Sequence, residues 1–204
     1  NELDEVTVSA QGQNTIQDNS QMSSIDLSME KVKALPVFLG EQDVLKTLQL
    51  LPGVQSGSEG ASGIYVRGGG PDQNLILLDG VPVYNASHLF GFFSVFNADA
   101  INSVQLIKGG FPAHYGGRLS SVIDIRMKEG NMKEIHGEGS IGLISAKLML
   151  EGPIVKDKTS FAISARRTYI DLLARPLIKA AAEGTGYGGY FFYDLNAKLN
   201  HKFS

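Results

Sequence analysis

Between Val104 and Met127 the chain reads Val-Gln-Leu-Ile-Lys-Gly-Gly-Phe-Pro-Ala-His-Tyr-Gly-Gly-Arg-Leu-Ser-Ser-Val-Ile-Asp-Ile-Arg-Met, and few folds can use such a segment. A short apolar run, Val104 to Ile107, enters a glycine-rich connection. There Tyr115 precedes Gly116 and Gly117, and a second run ends at Met127. In that second run Ile123, Ile125 and Met127 share one side of an extended chain, with Asp124 and Arg126 on the other. Two strands joined in this way belong to a β-rich domain with tight turns. Glycine supports this: 24 of 204 residues, well above the roughly 7% of ordinary usage.

Upstream, residues 26–53 have helical texture. Ser28 is placed to cap a short helix carrying Glu30 in its first turn. After Pro36 and Gly40, Glu41 and Asp43 are expected to start a second helix. Its face is Val44, Leu45, Leu48 and Leu51, and Pro52-Gly53 ends it. From 54 the period changes to two. Ile64–Arg67 and Leu75–Leu78 read as strands separated by Gly68-Gly69-Gly70-Pro71. Asp79-Gly80 between Leu78 and Val81 is a hairpin signal, because glycine accepts the positive φ of a tight primed turn. Pro82 cannot donate to a ladder, so its strand belongs at a sheet edge. An aromatic cluster (Phe90, Phe92, Phe93, Phe96) precedes Asn97, which is expected to cap a short helix at 97–102, followed by strands at 103–108 and 119–127. This mixture implies an α+β or mixed α/β domain of about 125 residues.

After Gly130 the texture changes again. Phe161, Ile163, Ala165 and Tyr169 alternate with Ser160, Ala162, Ser164, Arg166 and Thr168. Phe191, Tyr193, Leu195, Ala197, Leu199 and Phe203 alternate with Phe192, Asp194, Asn196, Lys198, Asn200 and Lys202. Alternation sustained over about ten residues is the pattern of a transmembrane barrel strand, and equally of a sandwich with one wet face. A first strand lies within 134–150, its phase slipping at Gly142. Residues 151–158 form a short turn, and 171–190 a long loop with helical potential at 172–182. Three strands are expected, with Phe161, Ile163, Tyr169, Phe191, Tyr193, Leu195 and Leu199 on one side.

At the other end, Leu3-Asp4-Glu5-Val6-Thr7-Val8-Ser9-Ala10 suits one extended strand before a Gln/Asn/Ser-rich tether. It reads either as a frayed terminus or as a strand offered to another protein by edge addition. The chain opens at Asn1, and we expect a mature or excised segment.

Composition narrows the functional classes. A net charge of −3 gives no attraction to nucleic acid. With no cysteine there is no thiolate chemistry. No run of about 18 apolar residues offers a membrane-spanning helix. Val66-Arg67-Gly68-Gly69-Gly70 lacks the Gly-Lys-Ser/Thr and the helix that a phosphate loop needs. His88, His114, His136 and His201 are scattered without ligand spacing, and no serine sits in a nucleophile elbow. No catalytic residue, metal or cofactor is therefore expected, and the chain does not read as an enzyme.

Four elements in order, Arg67-Gly68, Leu78 to Pro82, Val104 to Gly109 and Tyr115 to Gly117, resemble the plug domain of TonB-dependent outer-membrane receptors. The resemblance covers nearly the whole chain and continues into the barrel-type alternation. Two places depart from the usual pattern, Asn102-Ser103 and Gly109 to Ala113, and they leave the substrate class open. The resemblance implies an α+β fold: a small mixed-sheet plug with short helices, then antiparallel strands beginning a transmembrane β-barrel. It implies a coupling box and tether at 1–24, a plug at 25–128 and the first barrel strands at 133–204. Leu3, Asp4, Glu5, Val6, Thr7 and Val8 would bind a TonB-type energy-coupling protein of the inner membrane. Arg67, Gly68, Asp79, Gly80, Lys108, Gly109, Tyr115, Gly116 and Arg118 would be the plug motif and possible barrel-wall contacts, with Arg67 and Arg118 facing wall carboxylates outside this chain. The implied protein sits in the outer membrane of a Gram-negative cell, in contact with its lipid and with the plug facing the periplasm. It imports a scarce nutrient such as a metal chelate, a cofactor or an oligomer. The alternative is a soluble periplasmic or surface ligand-binding module without transport.

Overall fold

A computed structural model describes residues 23–33, 41–57, 62–181 and 189–203. The segment 104–127 builds the middle of the first sheet. Strands β1 (Ser24–Ser28), β4 (Asn74–Leu78), β5 (Val81–Pro82), β8 (Ile101–Ile107) and β9 (Ser121–Met127) lie in the order β1-β8-β9-β4-β5. Pairing is antiparallel except between β4 and β9, which run parallel with Ile76 opposite Ile123. Asp79 (φ 48°) and Gly80 (φ 82°) make the left-handed pair of a primed turn between β4 and β5. Pro82 stands on the edge strand, as its missing N–H requires.

One face of this sheet packs on α1 (Met29–Lys33), α2 (Val44–Gln49) and the β2–β3 hairpin (Val54–Ser56, Ile64–Val66). Val44, Leu45, Leu48, Val66, Val104, Leu106, Ile123 and Ile125 are almost fully buried there. The Asp43 carboxylate caps α2 by accepting from Leu45 N and Lys46 N at 2.9 and 3.2 Å. Several expectations need correction. Residues 24–28, partly assigned to a helix, form β1, because Leu27 is buried through pairing with β8 far along the chain. The expected 97–102 helix is a single 3-10 turn, Ala98–Ala100, capped by Asn97, and β8 starts at Ile101. Asp124 lies on the side of β9 opposite Ile123 and Ile125, and that side is covered too. Asp124 is 5% exposed, since the 109–117 connection folds over that face and brings Phe111 and Tyr115 against Val122 and Ile107.

A small hairpin, β6 (Ser87–His88) and β7 (Phe93–Ser94), leads toward the second sheet. This contains β10 (His136–Ile141), β11 (Ser145–Val155), β12 (Thr159–Thr168) and β13 (Tyr193–His201), antiparallel and in sequence order. Four strands stand where three were expected. The phase slip at Gly142 is a reversal, and Ile144 turns inward there onto Phe93 and Phe192. The expected turn at 151–158 shrinks because β11 runs to Val155. A helix, α3 (Ile170–Ala181), occupies the long connection before β13.

The second sheet sorts its side chains by polarity. Ser160, Ala162, Ser164, Arg166 and Thr168 of β12 are buried against the first unit, while Leu148, Leu150, Ile163, Leu195 and Leu199 face outward. Phe161 pairs with Leu199, Ile163 with Ala197 and Ala165 with Leu195, so the apolar row shares one side. Gly130 (φ 84°) carries the chain between the sheets, and a Cβ there would run into the Phe161 carbonyl.

Candidate functional site

The motif residues separate into two groups. Arg67 (φ 49°) and Gly68 (φ 85°) form the left-handed tip of the loop after β3. Arg67 Nη2 donates to Ser23 Oγ at 3.1 Å, and Lys108 Nζ donates to the Pro52 carbonyl at 2.9 Å. With Gly68 and Gly109 these two cations border an open cleft of about 600 Å³. Among the described residues neither has a carboxylate within ion-pair reach. Asp79, Gly80, Tyr115 and Gly116 lie apart from them, around a second cleft of about 840 Å³. Asp79 Oδ1 accepts from Met127 N at 3.1 Å and from Lys198 Nζ at 3.0 Å. The Tyr115 hydroxyl donates to Asp124 Oδ2 at 3.3 Å, and burial, then the neighbouring Asp124 charge, raises the Tyr115 pKa. Arg118 donates to the adjacent Gly117 carbonyl and is exposed. Leu3, Asp4, Glu5, Val6, Thr7 and Val8 lie outside the described residues.

Sequence reasoning missed a third constellation, on the seam between the two sheets. Glu41, read as a helix-opening acid, is 3% exposed. Its Oε2 meets Lys147 Nζ at 2.9 Å and Arg166 Nη1 at 3.7 Å, and its Oε1 accepts from Ser145 Oγ. Arg166, also 3% exposed, faces Asp194 across the β12–β13 ladder and holds its Oδ2 through Nε at 2.9 Å and Nη2 at 2.6 Å. Nη2 also donates to the Ser94 carbonyl at 2.6 Å, while Ser94 N donates to Asp43 Oδ2 at 2.7 Å. Asp194 Oδ1 lies 2.6 Å from His88 Nε2, and the His88 ring stacks on Phe192 at 4.1 Å. Isolated charges at this depth would cost several kcal/mol each, so such a cluster persists only because each member is paired. The available signal was parity: Arg166 and Asp194 both occupy the polar rows of consecutive strands.

The chemistry here is adhesive. Among the described residues no group of three or more His, Asp or Glu could hold a metal ion. At the His88 end of the seam, Gly63, Asn85, Ser87, His88, Leu89 and Tyr190 border a cleft of about 460 Å³, where the Tyr190 hydroxyl accepts from Leu89 N at 3.2 Å.

Residues 15–122 match the model of the TonB-dependent receptor plug domain. Over 168 residues the chain is 27% identical to the probable TonB-dependent siderophore receptor PirA of Acinetobacter baumannii, a match covering 67% of this chain and 22% of that protein. Over 99 residues it is 32% identical to the vitamin B12 transporter BtuB of Vibrio vulnificus, covering 46% of this chain and 16% of the transporter. The crystal structure of the Acinetobacter baumannii siderophore receptor PirA superposes with a TM-score of 0.61 at 23% identity, covering 92% of this chain and 30% of that one. The chain thus spans under a third of the length of these relatives.

Proposed function

The chain belongs to the TonB-dependent receptor plug domain family, its last strands beginning a barrel, and from that membership we propose that it is the gate region of an outer-membrane importer. The observation that carries this reading is the polarity sorting of the second sheet. Its polar row is buried on the mixed-sheet domain and its apolar row faces outward, which is what a barrel strand between a wet plug and lipid must do. The full receptor would then need many more strands, since plugged transporters have walls of 22.

In this reading residues 1–24 are the coupling box and tether, 25–128 the plug and 133–204 the start of the wall. The short 156–158 turn faces the periplasm, and the longer connection carrying α3 faces outward. The 460 Å³ cleft then lies at the ligand side. Arg67 and the exposed Arg118 are wall contacts for acids outside this chain, and Lys108, which borders the same cleft as Arg67 without a carboxylate partner among the described residues, is a further one. The partners are a TonB-type coupling protein, outer-membrane lipid and a transported nutrient: a metal chelate, a cofactor or an oligomer. The relatives' siderophores and vitamin B12 fall within that range. The work is mechanical, and no step of it is enzymatic.

Leu3 to Val8 would be gripped by strand addition to the coupling protein. Substituting Val6→Pro removes an N–H donor from that pairing. In cells carrying the full receptor, active uptake should be lost while ligand binding persists, and undiminished uptake would refute the coupling role. Comparing uptake of labelled siderophore, haem, cobalamin, peptide and glycan in cells with and without the receptor identifies the cargo.

A further inference from the structure

The seam cluster has one member on an open surface. His88 borders the 460 Å³ cleft, and its Nε2 is 2.6 Å from Asp194. Asp194 shares its other oxygen with Arg166, and Arg166 in turn reaches Glu41 and the Ser94 carbonyl. Glu41 stands two residues before Asp43, the cap of α2, and Asp43 itself accepts from Ser94 N. We infer that His88, Asp194, Arg166 and Glu41 form one charge relay across the plug–wall seam, linking the cleft to the grip on the plug. The inference rests on the reading of this chain as a plug seated against its wall.

The direction follows from the sharing of Arg166. With His88 in place, both oxygens of Asp194 are engaged, Oδ1 by His88 and Oδ2 by Arg166, and the Arg166 guanidinium can serve Glu41 and Ser94 as well. A molecule in the cleft that draws His88 away leaves Asp194 to Arg166 alone. The guanidinium, which already holds Oδ2 at 2.6 and 2.9 Å, then turns to take the vacated Oδ1 as well, lengthening its 3.7 Å contact with Glu41 and giving up Ser94. Glu41 keeps Lys147 and Ser145, so the plug is loosened and not expelled. The other charges packed here are Asp43, held by three backbone N–H groups, and Lys46, which lies over the Phe93 ring. Neither separates His88 from Asp194.

The relay is tested by a double-mutant cycle in the full-length receptor, read as plug protection against a protease. His88→Ala and Glu41→Gln should each raise the cleavage rate of the plug. His88 and Glu41 share no direct contact, so independent sites would multiply. A relay makes the double variant depart from the product of the singles by about twofold or more. His88→Gln, which can still donate to Asp194, should restore protection. Pairing His88→Ala with Lys198→Gln, whose contacts are Asp79 and the Met127 carbonyl, should give the plain product. Barrel folding is checked in each variant by heat-modifiable electrophoretic mobility, and a variant that fails it is replaced by Asp194→Asn in the same cycle. Multiplicative behaviour of His88 with Glu41, or equal coupling to Lys198, overturns the relay. Because the readout needs no transport, a receptor that imports nothing would refute the importer and leave this result standing.

Discussion

Arg166 occupies a position that few side chains could fill. Its planar fork reaches Asp194 through Nε and Nη2, the Ser94 carbonyl through Nη2 and Glu41 through Nη1, a set of directions that a lysine ammonium cannot reproduce. Arg166→Met keeps the stem and removes the charge, leaving Glu41 to Lys147 and Asp194 to His88. Removing one partner of a buried pair costs about 3–5 kcal/mol, and we expect a loss of that order in urea unfolding of the plug within the receptor. Tyr115 gives a test by pH. Its raised pKa means that the folded state holds the phenol proton more tightly than the unfolded chain. The associated stability is therefore complete below the ordinary tyrosine value of about 10 and is lost as pH rises through the raised value. Tyr115→Phe should flatten that alkaline loss and leave the profile near neutrality unchanged apart from one missing hydrogen bond to Asp124. An equally steep alkaline decline in the variant would assign it to another group.

Elements were legible where the local chemistry decides them. Asp79-Gly80 prescribes its turn whatever surrounds it, and the Asp43 cap with Val44, Leu45 and Leu48 prescribes α2; both formed as the residues required. The elements that escaped take their stability from distant partners. In β1 only Ile25 and Leu27 are apolar, and the strand exists because Leu27 lies opposite Val104. In β10 the outward positions are Gly137, Gly139 and Ile141, so no alternation announces a strand, and pairing with β11 creates it. The pairing of Glu41 was illegible for the same reason, because Glu41 and Lys147 meet only after both sheets have formed. Gly130 belongs to this scale, since its left-handed φ and its approach to the Phe161 carbonyl set how the two sheets join. Gly130→Ala should destabilise the receptor by about 1–3 kcal/mol from the backbone alone, with a further cost from the contact. Thermal unfolding in detergent is the measurement, and an unchanged midpoint would show that the junction relaxes freely.

For the molecule as a whole the question is what covers the outward row. Leu195 is 71% exposed, and with Tyr193, Leu199, Leu148, Leu150 and Ile163 it makes a continuous apolar face on a sheet whose other face is already occupied. In water such a face drives association, and the β13 edge would template it. Light scattering of this chain without detergent should show oligomers that detergent disperses, and a stable monomer in plain buffer would contradict the lipid-facing assignment. The sharper test exploits the two-residue period of the strand. A charge on a lipid face costs about 2–4 kcal/mol near the middle of the bilayer and about 0–1 near its edges. Ala197 lies at the centre of Tyr193–His201 on the outward row, whereas Asn196 beside it faces the plug near Ser164. Ala197→Arg should therefore lower barrel stability in bilayers by about 2–4 kcal/mol, and Phe203→Arg, beyond the end of the strand, by no more than about 1. The same Ala197→Arg change should reduce association of the isolated chain in water, because there it breaks up the exposed apolar row. A loss of stability in the bilayer together with a gain in soluble monomer in water is what a lipid-facing row predicts, whereas a row buried within the chain's own fold would lose folding stability in both solvents.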